Sequence, residues 1–196
     1  MTDIALFCED LGHEVVLGAL VRRVARDMGV AAAVAIRSAR GGRGRALASL
    51  SDYQEDVKRG VARPVDVLVV GLDANCHGYA RRRDEVLAHV SSAPLSCVLA
   101  VPDPHVERWL LLDGQAFRKV LGHGCQPPDQ KCEKARYKAL LREAVRAAGV
   151  EPVLGGLEHA DQLVAAMDLN RAAHLDRSLG RFLADLQAAL RARKQG

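Results

Sequence analysis

Residues 65–78 read VDVLVVGLDANCHG. From Val67 to Leu72 no charged side chain interrupts the run, and Asp73 ends it abruptly. A strand with one wet face alternates apolar and polar residues. A continuous apolar stretch, valine-rich and only a few residues long, reads instead as a strand covered on both faces. Strands of that kind occur in parallel sheets sandwiched between helices, so this segment asks for a layered α/β fold.

The rest of the first half agrees. "IALFC" at 4–8, "AAAVAIR" at 31–37 and "LSCVLAV" at 95–101 read as further strands. Alanine makes the second of these the weakest. Helices are expected between them, over 11–28, where Leu11, Val15, Leu20, Val24 and Met28 share one side, over 46–60 and over 79–90. Pro102 and Pro104 stop the fourth strand. Helices then take over: "HVERWLLLD", a longer one over 132–149 closed by Gly149, and one over 175–193 with a leucine-rich stripe. The expectation is one domain, with an α/β core over about 1–113 and a helical extension over about 114–196. The core is a central, mainly parallel sheet flanked by helices. Right-handed crossovers bring the C-terminal ends of all such strands to one edge, where ligands bind.

The charge and cysteines narrow the function classes. Net charge is +4, which permits nucleic-acid binding without demanding it. No apolar run reaches the roughly 18 residues of a membrane span, and Asp3 precedes the first apolar stretch. Both favour a cytoplasmic protein away from membranes. The five cysteines, Cys8, Cys76, Cys97, Cys125 and Cys132, are odd in number and include no CxxC. A disulfide framework is therefore not expected. His123, Cys125 and Cys132 sketch a zinc corner but lack a fourth ligand. There is no GxGxxG after the first strand and no GxxxxGK anywhere, which excludes dinucleotide-binding and P-loop readings.

Acidic groups follow the strands. Glu9 and Asp10 lie just past the first, Asp73 and Asn75 just past the third. Oxygen ligands gathered from neighbouring strand ends suit Mg²⁺ or Mn²⁺. Alternate residues of an extended segment point the same way, so Asp73 and Asn75 can share one ion. Taken singly, each acid is equally at home as a helix cap or a solvated group. The two clusters at equivalent strand ends are what argue for a site.

This order of residues resembles the TOPRIM domain of topoisomerases, primases and OLD-type nucleases, which has a glutamate after its first strand and DxD after its third. It is more similar still to small stand-alone bacterial TOPRIM-like proteins. The segments carrying the likeness are "CEDLGHE", "VVGLDANCHG", "VPDPHVERWLLLD" and "ADQLVAAMDLNRAAHLDRSLGRFLADL", and together they cover most of the chain. The resemblance implies Glu9 as first acidic ligand or general base, Asp73 as the main metal ligand and Glu14 as a second glutamate, one residue further on than the family spacing. Asn75 stands where the family has its second aspartate. An amide oxygen coordinates without charge, so the site should bind more weakly or hold one ion instead of two. Glu107 offers a further carboxylate, with Asp103 as its neighbouring alternative.

The implied activity is metal-dependent phosphodiester cleavage, nuclease-like, with His77 or His13 as proton carriers. Tyr53, Tyr79 and Tyr137 carry no topoisomerase motif. Arg40, Arg43 and Arg45 around the glycine loop, and Arg81 and Arg82 after the DxN turn, are the expected phosphate contacts, on DNA in preference to RNA. The resemblance also implies an ABC-type ATPase partner and a role in antiviral defence. The rival reading is a degenerate, non-catalytic module that binds nucleic acid or a partner. A receiver-like signalling domain fits less well, since "VLAVPDP" lacks the lysine that family places before its proline.

Overall fold

Seven residues at the start of the chain, Thr2–Cys8, form strand β1, and the sheet is built outward from it on both sides. The coordinates, a computed structural model, describe residues 1–39, 41–90, 96–133 and 135–195. After β1 come α1 (Leu11–Asp27), β2 (Ala32–Ser38), α2 (Arg43–Lys58), β3 (Val67–Gly71), α3 (Gly78–Leu87) and β4 (Ser96–Ala100). The sheet order is β2-β1-β3-β4 and every pairing is parallel. The fold is therefore α/β, with a four-stranded parallel sheet flanked by helices and followed by a helical region.

The apolar run at 67–71 is buried throughout. Its alternate residues feed two cores. Val67 and Val69, with Ile4, Leu6 and Val98, face α1 and the C-terminal helices. Leu68 and Val70, with Phe7 and Leu99, face α2 and α3. Each such side chain contributes roughly 1.5–3 kcal/mol when fully buried, so both faces of the strand hold it in the middle of the fold. The alanine-rich β2 forms at the sheet edge because β1 supplies a full parallel register from Thr2–Ala32 to Cys8–Ser38. Pairing overrides its poor intrinsic preference.

The helical region comprises α4 (Glu107–Leu110), α5 (Gly114–Leu121), α6 (Arg136–Ala147), a 3₁₀ turn (Leu157–His159), α7 (Ala160–Ala166), α8 (Leu169–Leu175) and α9 (Arg177–Gln195). It packs into the same core as the first face of the sheet: Trp109 stacks on Phe182 with ring centroids 5.6 Å apart. Two expected helices start later than their periodicity suggests. α6 begins at Arg136 because Cys132 is disulfide-bonded to Cys76, with Cα atoms 5.6 Å apart. This pairing is a departure from the expectation of unpaired thiols, and it removes Cys132 from any zinc corner with His123 and Cys125. α9 begins after Asp176, whose carboxylate accepts from the Ser178 and Leu179 amides at 2.8 and 3.0 Å and pairs with the buried Arg108. Among the described residues no helix is long and apolar enough to cross a membrane.

Gly71 closes β3 where α1 crosses the sheet. A methyl group there would run into Leu17 Cδ1 and lie 3.5 Å from His13 Cδ2. Gly71→Ala should therefore push the first turns of α1 off the strand end and cost about 1–3 kcal/mol, as overpacking does elsewhere. Chemical denaturation of the variant checks this. An unchanged midpoint would mean that α1 is not held close at this point.

Candidate functional site

The order β2-β1-β3-β4 makes the chain leave β1 toward one edge and return across it to reach β3. Neighbouring crossovers then lie on opposite faces, and the ends of β1 and β3 border a crevice at the sheet edge. Glu9 follows β1 directly and Asp73 lies two residues past β3. Both open on this crevice.

Local structure aims the side chains. Asp10 caps α1, accepting from the His13 amide at 3.0 Å. The same carboxylate oxygen holds His13 Nδ1 at 2.8 Å, which turns the imidazole across the sheet end. His13 is fully buried, and its Nε2 lies 3.1 Å from Asp73 Oδ1 and 3.7 Å from Glu9 Oε1. The first of these is an ion pair without an aligned hydrogen bond. Glu9 Oε1 also accepts from the Asp73 amide at 2.8 Å, which ties the two strand ends together. Asp73 is served from a third element as well: Oδ1 accepts from the Val106 amide at 2.9 Å, and Oδ2 lies 2.8 Å from His105 Nδ1. Ligand atoms of Glu9, His13 and Asp73 all fall within 4.8 Å of one another.

These contacts set the charge states. Burial alone would lower the His13 pKa, but the Asp73 charge and the Asp10 hydrogen bond lift it to about 10. His13 is thus an imidazolium at neutral pH, a cation built into the acidic cluster. Burial pushes the Asp73 carboxyl up, yet His13 and His105 outweigh it and hold the group below the ordinary carboxylate value. Glu9 goes the other way, raised mainly by burial despite His13. Burial and the Asp73 charge also raise Glu107. Lys138 on α6 stands 3.6 Å from Glu107 Oε1 and 3.8 Å from Asp10 Oδ2. Burial opposes its charge, but the two carboxylates prevail and raise its pKa.

A cavity of about 280 Å³ opens over this cluster, and Glu9, Asp73, Asn75, His105, Glu107 and Lys138 are among its walls. These residues could hold one divalent cation. Glu9 and Asp73 supply hard, charged oxygens, and the buried Glu107 Oε2 has no hydrogen-bond partner. The histidines tilt the preference from Mg²⁺ toward Mn²⁺.

The structure thus brings together Glu9, Asp73, Asn75 and Glu107 of the expected residues, and His13 of the two suggested proton carriers. Glu14 does not line the cavity, and its charge acts on Cys8 instead. His77 lies at the exposed start of α3, and Asp103 is engaged through its amide with Ser178. Arg43 pairs with Glu85 at 2.7 Å and Arg45 is exposed beside Gly41, at a second cavity of about 450 Å³ that shares Glu9 and Asp10 with the first. Arg81 is exposed on α3. Arg82, expected on a phosphate surface, is instead 1% exposed, and its Nε donates to the Asp73 carbonyl at 2.8 Å while Nη1 pairs with Glu85. It clamps the site loop from below. Arg40 lies outside the described residues. His105 and Lys138 were not legible. His105 had a weak signal, standing between Pro104 and Glu107. Lys138, on a helix distant in sequence, had none.

Comparison of the chain with protein-family models, with curated proteins and with solved structures finds no match.

Proposed function

We propose that this protein cleaves phosphodiester bonds with the help of Mg²⁺ or Mn²⁺, in the manner of the TOPRIM-like nucleases it resembles. One observation carries the reading: Glu9 and Asp73, from separate strands, meet with His13 at the crevice between β1 and β3. Glu9 and Asp73 would hold the ion, with Asn75 and Glu107 on the same cavity wall. When bound, the ion polarises a phosphate and stabilises the charge of its transition state. Glu107, raised in pKa and with one oxygen free of partners, is placed to keep or pass a proton. Lys138 presents a positive charge to a phosphate entering the cavity, and Arg43 and Arg45 follow closely in sequence on Gly41 and Gly42, which line the adjoining one. The resemblance favours DNA over RNA as substrate and an ABC-type ATPase as partner.

A second reading has its own support. Asp73 already accepts from His105 and the Val106 amide and faces the His13 cation. That pattern suits a degenerate module in which imidazolium stands where an ion would sit, leaving a binding surface without cleavage. The deciding experiment compares wild type with Glu9→Ala and Asp73→Ala on plasmid, linear and single-stranded DNA in Mn²⁺ and Mg²⁺. Cutting by wild type that falls by about two orders of magnitude or more in both variants supports the enzyme. DNA retention without cutting supports the module.

A further inference from the structure

Cys76 and Cys132, 56 residues apart, join the loop after β3 to the segment entering α6. Both are solvent-exposed. The bridge sits on the rim of the acidic cavity: Asn75, next to Cys76, and Ala135, three residues past Cys132, both line it. Backbone geometry singles out the same place. Among the described residues, the non-glycine residues with positive φ are Asn75 (45°), Cys76 (67°) and Ala135 (60°). Left-handed backbone is unfavourable for residues carrying a Cβ and persists only where surrounding contacts over-determine it. Here these residues cluster at the two anchors of one covalent bridge.

We propose that Cys76–Cys132 is a reversible redox latch that assembles the cavity rim when oxidised and releases it when reduced. The proposal rests on the reading of the cavity as the functional site. A dithiol reductant drives the release. Its thiolate attacks one sulfur of the bridge, and its second thiol resolves the mixed disulfide. Two cysteine thiols and one oxidised dithiol result, and the oxidised dithiol reverses the step. Both cysteine residues are exposed to such a reagent. Exposed disulfides are the labile, regulatory ones.

The consequences are local. Asp73 keeps its ties to Glu9, Val106 and Arg82 when the bridge opens, and α6 stays docked through buried Tyr137, Leu141 and Val145. What loses its covalent restraint is the 75–77 turn, which keeps the hydrogen bond from the Asn75 amide to the Pro104 carbonyl, and the strap at 129–133. The strap is otherwise gathered by the Tyr137 hydroxyl, which contacts the Asp129 carbonyl and the Lys131 amide and carbonyl at 2.8–3.0 Å, and by ion pairs of the partly exposed Arg136 with Asp129 and Glu133. Asn75 then leaves its left-handed conformation, and the cavity loses that wall.

Three readouts on the full chain test this. Alkylation of the unfolded protein without reductant should find three thiols, Cys8, Cys97 and Cys125, and five after reduction. Backbone hydrogen exchange at 75–77 and 129–133 should rise several-fold on reduction, with β3 and the body of α6 unchanged. Mn²⁺ should bind about tenfold more weakly to the reduced protein and to Cys76→Ser, as when a metal site loses a supporting partner. Cys125→Ser should change neither exchange nor affinity. Five thiols before reduction, or exchange unaltered by it, overturns the latch. Faster exchange at the rim with no Mn²⁺ binding in either state upholds the latch and overturns the metal reading.

Discussion

Asp73→Ala is expected to cost about 3–5 kcal/mol of folding stability near neutral pH, the range found when one partner of a buried ion pair is removed. The variant strands His13, an imidazolium with no exposed surface, and leaves the Val106 amide without its acceptor. Asp73→Asn keeps an acceptor and the volume, so it should cost less. The penalty has a pH signature. The folded-state pKa of Asp73 lies below its ordinary 3.8, so its contribution is complete above that value and is lost as pH falls through the lower folded one. His13 is raised from 6.5 to about 10, so its contribution is complete below 6.5 and is lost as pH rises through 10. The stability gap between wild type and Asp73→Ala should be widest from about pH 4 to 6.5 and close steadily above that. Urea denaturation of both proteins from pH 4 to 10 measures it. A gap that stays level across this range would mean that the two groups are not coupled.

Mn²⁺ should raise the stability of wild type by about 2.7 kcal/mol at a hundred times its dissociation constant, and Glu9→Ala and Asp73→Ala should abolish the gain. The ion competes with a proton here. His13 is charged at neutral pH because Asp73 and Asp10 keep it so. An ion on Asp73 either takes the imidazole as a ligand or repels its charge, and both expel the proton. Affinity should then climb by up to about tenfold per pH unit between pH 6 and 8, with proton release detectable in weakly buffered solution. Mg²⁺, with less taste for nitrogen, should bind more weakly than Mn²⁺. Affinity that ignores pH would place the ion away from the Asp73–His13 pair. EDTA should return the protein to its metal-free melting temperature.

The sheet was legible because strand signals are local. The run at 67–71 states its own two-sided burial, and the strand–helix alternation on either side leaves few topologies to choose from. The pairing of Glu9 with Asp73 followed from the same rule, since parallel strands end at one edge. Elsewhere local signals misled. Periodicity carried the α6 pattern back to residue 132, but Cys132 is bridged to Cys76 and the helix begins only at Arg136. The three arginines at 81–83 read alike, yet Arg82 alone turns inward to the Asp73 carbonyl. Which member of a charged run faces the core depends on the helix's rotation against its sheet, and a polar helix such as α3 does not encode that rotation.

By itself, the order of residues determined the layered α/β architecture and the edge at which its acids gather. Both arise from apolar patterning within a few residues and from the handedness of the chain. The electrostatics of that edge were decided only in three dimensions. His105 and Lys138 reach Asp73 and Glu107 from segments 32 and 31 positions away, and Cys132 meets Cys76 across 56. Contacts of that span depend on how helices dock, and no short stretch of the chain carries the information.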